Sequence, residues 1–285
     1  MEPGVGRIDF INTAPVYLGI DTGHVICPGH TVAAPPSTLN RLLREGKIQI
    51  SSISSVAYAQ AFPDWLILPG LSISANGPVK SVLLCSREPF EGCPMGMHPR
   101  VGLSDKSDTS KALVRILLED RFHTQPVYEE ADLSNGVPKG LDGLLVIGDD
   151  ALTLDYATHY PFTLDLGRFW VEWTGLPFVF GLWAVDRGYA ARHPRETADV
   201  VEALLRSKEM GIRDLYTAAR RASKRAGVSE EMCRDYLQHI EYDLDSLHLQ
   251  GLNRFYAFLK KRGEIKEEVE PLFWEPESGE ESHGA

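Results

Sequence analysis

At 285 residues the chain is long for a single hydrophobic core, so two lobes are the default expectation. Hydrophobic residues make up 43% and charged residues 24% of the sequence, which is ordinary for a globular protein. The formal net charge of -11 argues against a nucleic-acid-binding groove, and no apolar run is long enough to span a membrane. The first residues show neither a basic region nor an apolar signal core, and we therefore expect a cytoplasmic protein.

Short apolar runs alternate with helical patterns through the first two thirds of the chain. The apolar runs predict strands over 5–10, 47–53, 66–73, 79–85, 101–103, 126–129, 144–147 and 178–185. Apolar residues recur at helical spacing over 37–44, 110–122, 193–208, 212–226, 229–240 and 245–263. This alternation is typical of mainly parallel sheets covered by helices, so the sequence predicts an α/β fold.

Two breaks rich in Pro and Gly predict the boundaries between the lobes. They cover 87–99 and 174–177, next to strong predicted strands. If the chain leaves one lobe at the first break and returns at the second, residues 1–87 and 176–263 form lobe I and residues 88–175 form lobe II. Two such connections form a hinge, about which lobes close on a ligand. Eight carboxylates and one lysine follow residue 263, and we interpret 264–285 as an acidic C-terminal tail.

Two segments rich in hydroxyl side chains lie where a predicted strand runs into a helix, at 51–58 and at 102–110. Backbone N–H groups and the dipole at a helix N-terminus favour a carboxylate or phosphate, and hydroxyl side chains add donors. The same side chains are also ordinary helix caps, so both interpretations stay open. The candidate substrate-binding residues in these segments are Ser54, Ser55, Ser107, Thr109 and Ser110.

Further candidates lie near the ends of three other predicted strands. Asn12 follows the first strand and precedes a proline that can begin a helix, while Ser81 lies early in an apolar strand. Gly148 and Asp149 follow a buried strand, where a glycine lets a ligand approach the backbone closely. Open α/β sheets bind ligands at the carboxyl ends of their strands. A cap at Asn12 and a structural serine at Ser81 remain the alternatives.

Cofactor and metal motifs are absent from the sequence. It contains no nucleophile elbow, P-loop, Rossmann glycine fingerprint or zinc-protease motif. The four cysteines lie far apart and the nine histidines are scattered, so we expect reduced cysteines, no metal and no cofactor. The residues alone therefore predict a protein that closes on a small carboxylate-bearing molecule, without selecting a reaction.

Five regions taken together resemble one enzyme family. In chain order they are GRIDFINTAPVY, SSISSVAYAQ, GPVKSVLLCS, VGLSDKSDTSKALVRILL, and the pair LLVIGDDAL and WVEWTGLPFVFGLWAVDR. Over about residues 5–260 this ordered set resembles chorismate dehydratase of the futalosine route to menaquinone. The most specific parts are Asn12 with Pro15 and Tyr17, the GPVxS run, and WTGLPFVF.

The resemblance implies a two-lobed type II periplasmic-binding-protein-like fold, with a mainly parallel, helix-flanked sheet in each lobe and a two-strand hinge. It also implies cofactor-free dehydration of chorismate to 3-[(1-carboxyvinyl)oxy]benzoate, in which the substrate's own enolpyruvyl carboxylate removes the proton. Asn12 and Ser81 match the family's catalytic polar pair. Ser54, Thr109 and Ser110 match positions that hold carboxylates, although the SSISS run leaves the choice between Ser54 and its neighbour open.

Two alternative functions use the same fold. A sister enzyme that makes 1,4-dihydroxy-6-naphthoate has a catalytic His where this chain has Gly148, the strand-end glycine that the resemblance places beside the cleft. A non-catalytic solute-binding or sensor domain would close the same lobes without chemistry. The expected partner is a small molecule, chorismate, rather than nucleic acid or a membrane, and the sequence leaves the oligomeric state open. An aromatic absorbance change on mixing with chorismate would separate the enzyme from the sensor.

Overall fold

The computed structural model describes residues 2–92, 94 and 96–276 and contains two five-stranded sheets. The first sheet consists of β1 (Gly4–Arg7), β2 (His30–Ala33), β3 (Ile50–Ser54), β4 (Trp65–Ala75) and β10 (Phe178–Asp186). The second sheet consists of β5 (Val82–Ser86), β6 (Arg100–Leu103), β7 (Val127–Glu130), β8 (Gly143–Ile147) and β9 (Phe162–Asp165).

The two sheets share one topology. Their strand orders are β2-β1-β3-β10-β4 and β7-β6-β8-β5-β9. In each sheet four strands run in one direction, and the fourth strand in the order, β10 or β5, runs against both of its neighbours. These reversed strands are the ones by which the chain enters each sheet from the other. The predicted mainly parallel, two-lobed α/β fold is confirmed, while bending at the two crossings stays a prediction.

Helices cover the sheets, so that β5 and β8 are buried along their whole length. In the described part of the chain, no helix is both long and apolar enough to cross a membrane. The helices are α1 (Ala14–Asp21), α2 (Pro36–Arg44), α3 (Ser55–Ala61), α4 (Asp108–Arg115, continued by a π-helix over Ile116–Arg121), α5 (Asp150–Thr153), α6 (Leu166–Thr174), α7 (Arg187–Arg192), α8 (Pro194–Arg213), α9 (Leu215–Ala226), α10 (Glu230–Leu237) and α11 (Ser246–Lys261).

The first change of sheet comes earlier than the sequence predicted. We expected lobe I to extend to residue 87, but β5 pairs with β8 and β9 and therefore belongs to the second sheet. The chain crosses between residues 75 and 82, at a segment that includes Asn76, Gly77 and Pro78. The Pro- and Gly-rich stretch after residue 87 is instead a loop within the second lobe. The return crossing lies between α6 and β10, beside the predicted break at 174–177.

Two strands were missed in the sequence. β2 and β9 are edge strands of the two sheets, and their side chains are exposed or half-buried. A strand with little buried surface shows little apolar alternation, which is the pattern on which the prediction depended.

The region after residue 263 is largely packed rather than a free acidic tail. Ile265, Val269 and Trp274 are buried in the first lobe, and Phe273 pairs with Ile67 of β4. Apolar residues spaced among the glutamates therefore hold this segment on the protein, and the prediction of a tail over 264–285 was wrong up to residue 276. Residues 277–285 lie outside the described part of the chain, as does Cys93. The other cysteines, Cys27, Cys85 and Cys233, are free thiols.

Aromatic and charged contacts join the two lobes. Trp170 of α6 packs edge-to-face on Phe178 and Phe255, with ring centroids 5.1 and 6.3 Å apart. Arg262, which follows α11, donates hydrogen bonds of 2.9 Å to both Glu119 and Asp120 in the π-helix of the second lobe.

Candidate functional site

A cavity that opens to solvent lies between the two sheets. Its wall combines the β1–α1 turn, the end of β3 and the middle of β10 with the start of α4, the end of β8 and the crossing before β5. A cleft between two lobes is a common binding site for a small organic molecule. The predicted site residues that line it are Asn12, Ser54, Ser81, Ser107, Ser110 and Gly148. The others, Ser55, Thr109 and Asp149, do not line it and are engaged in contacts nearby.

Asn12 and Ser81 reach the cavity from different elements, and both lie beside the Tyr236 side chain. The Tyr236 hydroxyl on α10 donates to Ser81 Oγ at 2.7 Å, and the Asn12 side chain lies near the same phenol. Ser81 and Tyr236 are both nearly inaccessible to solvent, while Oδ1 of Asn12 is buried and has no hydrogen-bond partner among the described residues. Burial raises the pKa of Tyr236 well above its ordinary value, so the phenol is neutral and remains a donor at neutral pH.

The tight turn that carries Asn12 is fixed by its own backbone and by side chains. Thr13 Oγ1 donates to the carbonyl oxygens of Ile8 and Phe10, at 2.8 and 2.9 Å. Arg225 donates to the same Phe10 carbonyl oxygen at 3.0 Å. Pro15 occupies the first turn of α1, as the sequence predicted. The turn therefore holds Asn12 in place without using the Asn12 side chain.

The structure separates the two serines between which the sequence could not choose. Ser54 is the N-cap of α3, where its Oγ accepts from the Ala57 N–H at 3.2 Å, and it lines the cavity. Ser55 points the other way and donates to the Val179 carbonyl oxygen at 2.6 Å. Of these two serines, Ser54 is therefore the one that can present a hydroxyl to a ligand in the cavity.

The start of α4 is divided in the same way. Ser107 is the N-cap, and its Oγ accepts from both the N–H and the hydroxyl of Ser110, at 3.1 and 3.0 Å. Thr109 is fully buried and turns toward the other lobe, where its Oγ1 accepts from the Val56 N–H at 3.1 Å. Thr109 therefore connects the starts of α3 and α4 across the lobe boundary.

Gly148 and Asp149 follow β8 but have different surroundings. Gly148 has a φ of +62°, and a Cβ added there would approach only the Phe10 ring, at 4.0 Å. Its N–H donates to the Ser81 carbonyl oxygen at 2.7 Å. Asp149 accepts from the Ile11 N–H of the first lobe at 3.2 Å, and burial raises the pKa of this carboxyl. Asp149 is thus a second connection between the lobes.

Sequence reasoning missed several side chains of the site. Phe10, Phe180 and Trp183 form an aromatic part of the cavity wall, and Lys106 lies at its edge, 2.6 Å from Asp150. Phe180 and Trp183 belong to a continuous apolar strand, which in sequence resembles any core strand. Tyr236 lies on an amphipathic helix and looks equally like a core residue. Only the proximity of Lys106 to the hydroxyl-rich helix start was a usable signal.

The charge of the cavity wall is unusual for a site that handles protons. Among the residues that the structure describes, the wall contains no Asp, Glu or His side chain and has Lys106 as its cation. The described residues also form no group of three or more His, Cys, Asp or Glu side chains suited to a metal. The wall therefore offers hydroxyl, amide and ammonium donors to an anionic molecule, but no side chain that is a base at neutral pH.

Comparisons with known proteins identify relatives of this chain and solved structures that share its fold. A chorismate dehydratase from Thermus thermophilus is 31% identical over 273 residues, which cover 90% of this chain and 94% of that protein. A solved structure from Archaeoglobus fulgidus, 20% identical, has a TM-score of 0.71 and covers 92% of this chain and 98% of its own. An alkanesulfonate-binding protein from Xanthomonas axonopodis, 12% identical, shares the fold with a TM-score of 0.61, covering 94% of this chain and 95% of its own. The profile of the menaquinone biosynthesis family matches residues 3–261. The chain is therefore a member of the menaquinone biosynthesis family.

Proposed function

We propose that the protein is a chorismate dehydratase, a hydro-lyase that converts chorismate to 3-[(1-carboxyvinyl)oxy]benzoate and water. The observation that carries the proposal is the composition of the cavity wall. Its described residues offer hydroxyl and amide groups and one ammonium group, and they include no acidic or histidine side chain. The 31% identity to a chorismate dehydratase over nearly the whole chain supports the same reaction. The proposal includes a cytoplasmic location, as the family resemblance implies.

In the proposed reaction the protein does not need to supply a side chain that removes the proton. A proton leaves the ring carbon that bears the enolpyruvyl ether, and hydroxide leaves the adjacent ring carbon, so that the ring becomes aromatic. Because the described residues of the wall include no carboxylate or imidazole, we assign proton removal to the enolpyruvyl carboxylate of the substrate itself. The protein then has to hold this carboxylate over the C–H bond and stabilise the negative charge that spreads through the ring.

Asn12 and Ser81 are the proposed catalytic residues. Both line the cavity, and Ser81 accepts a hydrogen bond from the Tyr236 hydroxyl behind the wall. The Ser81 proton is therefore available to the substrate or to the departing hydroxide. Oδ1 of Asn12 has no partner among the described residues, and we assign it as an acceptor for a substrate hydroxyl. A preorganised donor of this kind typically contributes about 10²–10³ in rate.

The substrate carboxylates are assigned to the hydroxyl-bearing helix starts. We propose that Ser54 binds from the first lobe and that Ser107 and Ser110 bind from the second, with Lys106 adding positive charge at the edge of the cavity. Gly148 lets the substrate approach the strand end. Ser55, Thr109 and Asp149 contribute indirectly, because their side chains are engaged in contacts that hold the lobes and helix starts in place.

The test is direct. Purified protein mixed with chorismate should produce the aromatic enolpyruvyl ether, followed by absorbance and identified by mass spectrometry, and a chelator should leave the rate unchanged. Recovery of unchanged chorismate would refute the proposed enzyme. Binding without conversion would favour the sensor interpretation, and loss of activity with the chelator that returns with metal would refute the cofactor-free mechanism.

A further inference from the structure

Tyr236 occupies a position behind the cavity wall that the proposed mechanism does not yet use. It does not line the cavity and is almost completely buried on α10, 155 residues from Ser81 in sequence. A core tyrosine commonly places its hydroxyl at the protein surface or on a backbone carbonyl oxygen. Here the hydroxyl instead donates to the side chain of Ser81, one of the two residues proposed to act on the substrate, and lies near the other, Asn12.

The hydrogen bond between Tyr236 and Ser81 uses the single proton of the tyrosine hydroxyl. Tyr236 donates to Ser81 Oγ at 2.7 Å, so the serine oxygen is engaged as an acceptor. Ser81 keeps its own hydroxyl proton. Tyr236 therefore leaves the Ser81 proton as a donor for the substrate.

One ion pair joins the segment around Ser81 to α10, and backbone hydrogen bonds join the same segment to the second lobe. Asp235, the residue before Tyr236, forms an ion pair with Lys80, the residue before Ser81. Lys80 has a left-handed φ of 61°, and its N–H donates to Asp165 Oδ2 at 2.7 Å. The Ser81 carbonyl oxygen accepts from Gly148 of the second lobe. The backbone of Ser81 is thus held by the second lobe and its side chain by α10 of the first.

We propose that Tyr236 is a positioning residue for the dehydration: its hydroxyl turns the Ser81 proton toward the substrate. The inference rests on the proposed function and deepens it, because it assigns the orientation of the catalytic serine to a residue that does not touch the substrate. A residue that only filled the core would act through its ring, not through its hydroxyl. The hydroxyl is therefore the group to remove.

The experiment compares Tyr236→Phe with Tyr242→Phe as the matched control. Tyr242 is also buried, but its hydroxyl has no partner among the described residues, so its removal should leave turnover unchanged. Tyr236→Phe should lower kcat for chorismate about tenfold to a hundredfold, as small misplacements of reacting groups do, with little change in KM. Restoring the hydroxyl on a ring of the same shape, with 3-fluorotyrosine at position 236, should recover most of the rate.

A double variant shows whether Tyr236 acts through Ser81. When Ser81→Ala is already present, adding Tyr236→Phe should change kcat by no more than about twofold, because the oriented hydroxyl is gone. The double variant removes both hydroxyls of the Tyr236–Ser81 hydrogen bond, so no buried serine oxygen loses its partner. The comparison therefore remains valid if Tyr236→Phe alone folds poorly. A further tenfold loss in the double variant, or parent-like kcat in folded Tyr236→Phe, would overturn the positioning role while the dehydratase assignment stands. A parent protein that does not dehydrate chorismate would overturn both.

Discussion

Replacing Thr109 with Val tests whether this residue connects the lobes or binds the substrate. The substitution exchanges a hydroxyl for a methyl group of similar shape in a fully buried position. It removes the acceptor of the Val56 N–H, a hydrogen bond of 3.1 Å between the starts of α3 and α4. With the lobes closed, the N–H group then stays buried without a partner, which costs about 1–3 kcal/mol.

This free energy should appear in two measurements. In thermal unfolding, about 1 kcal/mol corresponds to roughly 2–4 °C for chains somewhat shorter than this one, so the midpoint should fall by a few degrees. In steady-state kinetics with chorismate, lobe opening lets water reach the N–H group, so closure becomes less favourable and KM should rise. Each 1.4 kcal/mol lost from closure weakens binding about tenfold. kcat should change less, because Thr109 does not line the cavity.

Thr197→Val is the control for the loss of a buried threonine hydroxyl. Thr197, on α8, is equally buried, but its hydroxyl donates to the carbonyl oxygen of His193. That carbonyl oxygen also accepts from the Thr197 N–H, so it keeps a hydrogen bond when the hydroxyl is removed. We expect a small loss of stability and a parent-like KM. If Thr109→Val raises KM without lowering stability, Thr109 acts on the substrate directly, as the family resemblance implied. If Thr109→Val changes neither the unfolding midpoint nor KM, the hydrogen bond between Thr109 and Val56 contributes to neither stability nor lobe closure.

Three further predictions concern residues in the cavity wall and next to it. Ser81→Ala and Asn12→Ala should each lower kcat by about 10²-fold or more and should change stability by no more than about 1–2 kcal/mol; parent-like turnover in both would show that the catalytic pair is misassigned. Asp149→Asn should stabilise the protein at neutral pH, because burial raises the pKa of the Asp149 carboxyl and makes its charged form unfavourable in the folded state. The free energy of unfolding, measured by chemical denaturation, should therefore be higher in the variant at neutral pH. This difference should disappear as the pH falls toward about 3.9, the ordinary pKa of an aspartate, because the parent carboxyl is then protonated. Gly148→Ala should cost about 1–2 kcal/mol from its left-handed φ of +62° and should also weaken substrate binding, whereas Gly227→Ala, with a φ of +70° at the end of α9, should show the same strain with normal kinetics.

The elements of this protein could largely be read from local sequence. Strands such as β3, β5 and β8 are buried and strongly apolar, or rich in small residues, and the long helices from α8 onward have clear polar and apolar faces. Their period is a property of neighbouring residues and needs no knowledge of the rest of the fold. β2 and β9 lack this signal, because much of their surface is exposed. The crossing into the second sheet was misplaced because β5 reads identically as a strand of either lobe.

The residues of the site likewise include some that the local sequence predicts and others that only the tertiary structure identifies. Hydroxyls that follow a strand and begin a helix are recognisable in sequence, and Ser54, Ser107 and Ser110 do line one cavity. The sequence could not separate Ser54 from Ser55, or Thr109 from Ser110, because adjacent residues at a helix start point in different directions and only the packed lobes decide which direction is the cavity. It also could not find Tyr236. Its role depends on a hydrogen bond to a residue 155 positions away, which no local pattern encodes and which only the closed tertiary structure creates.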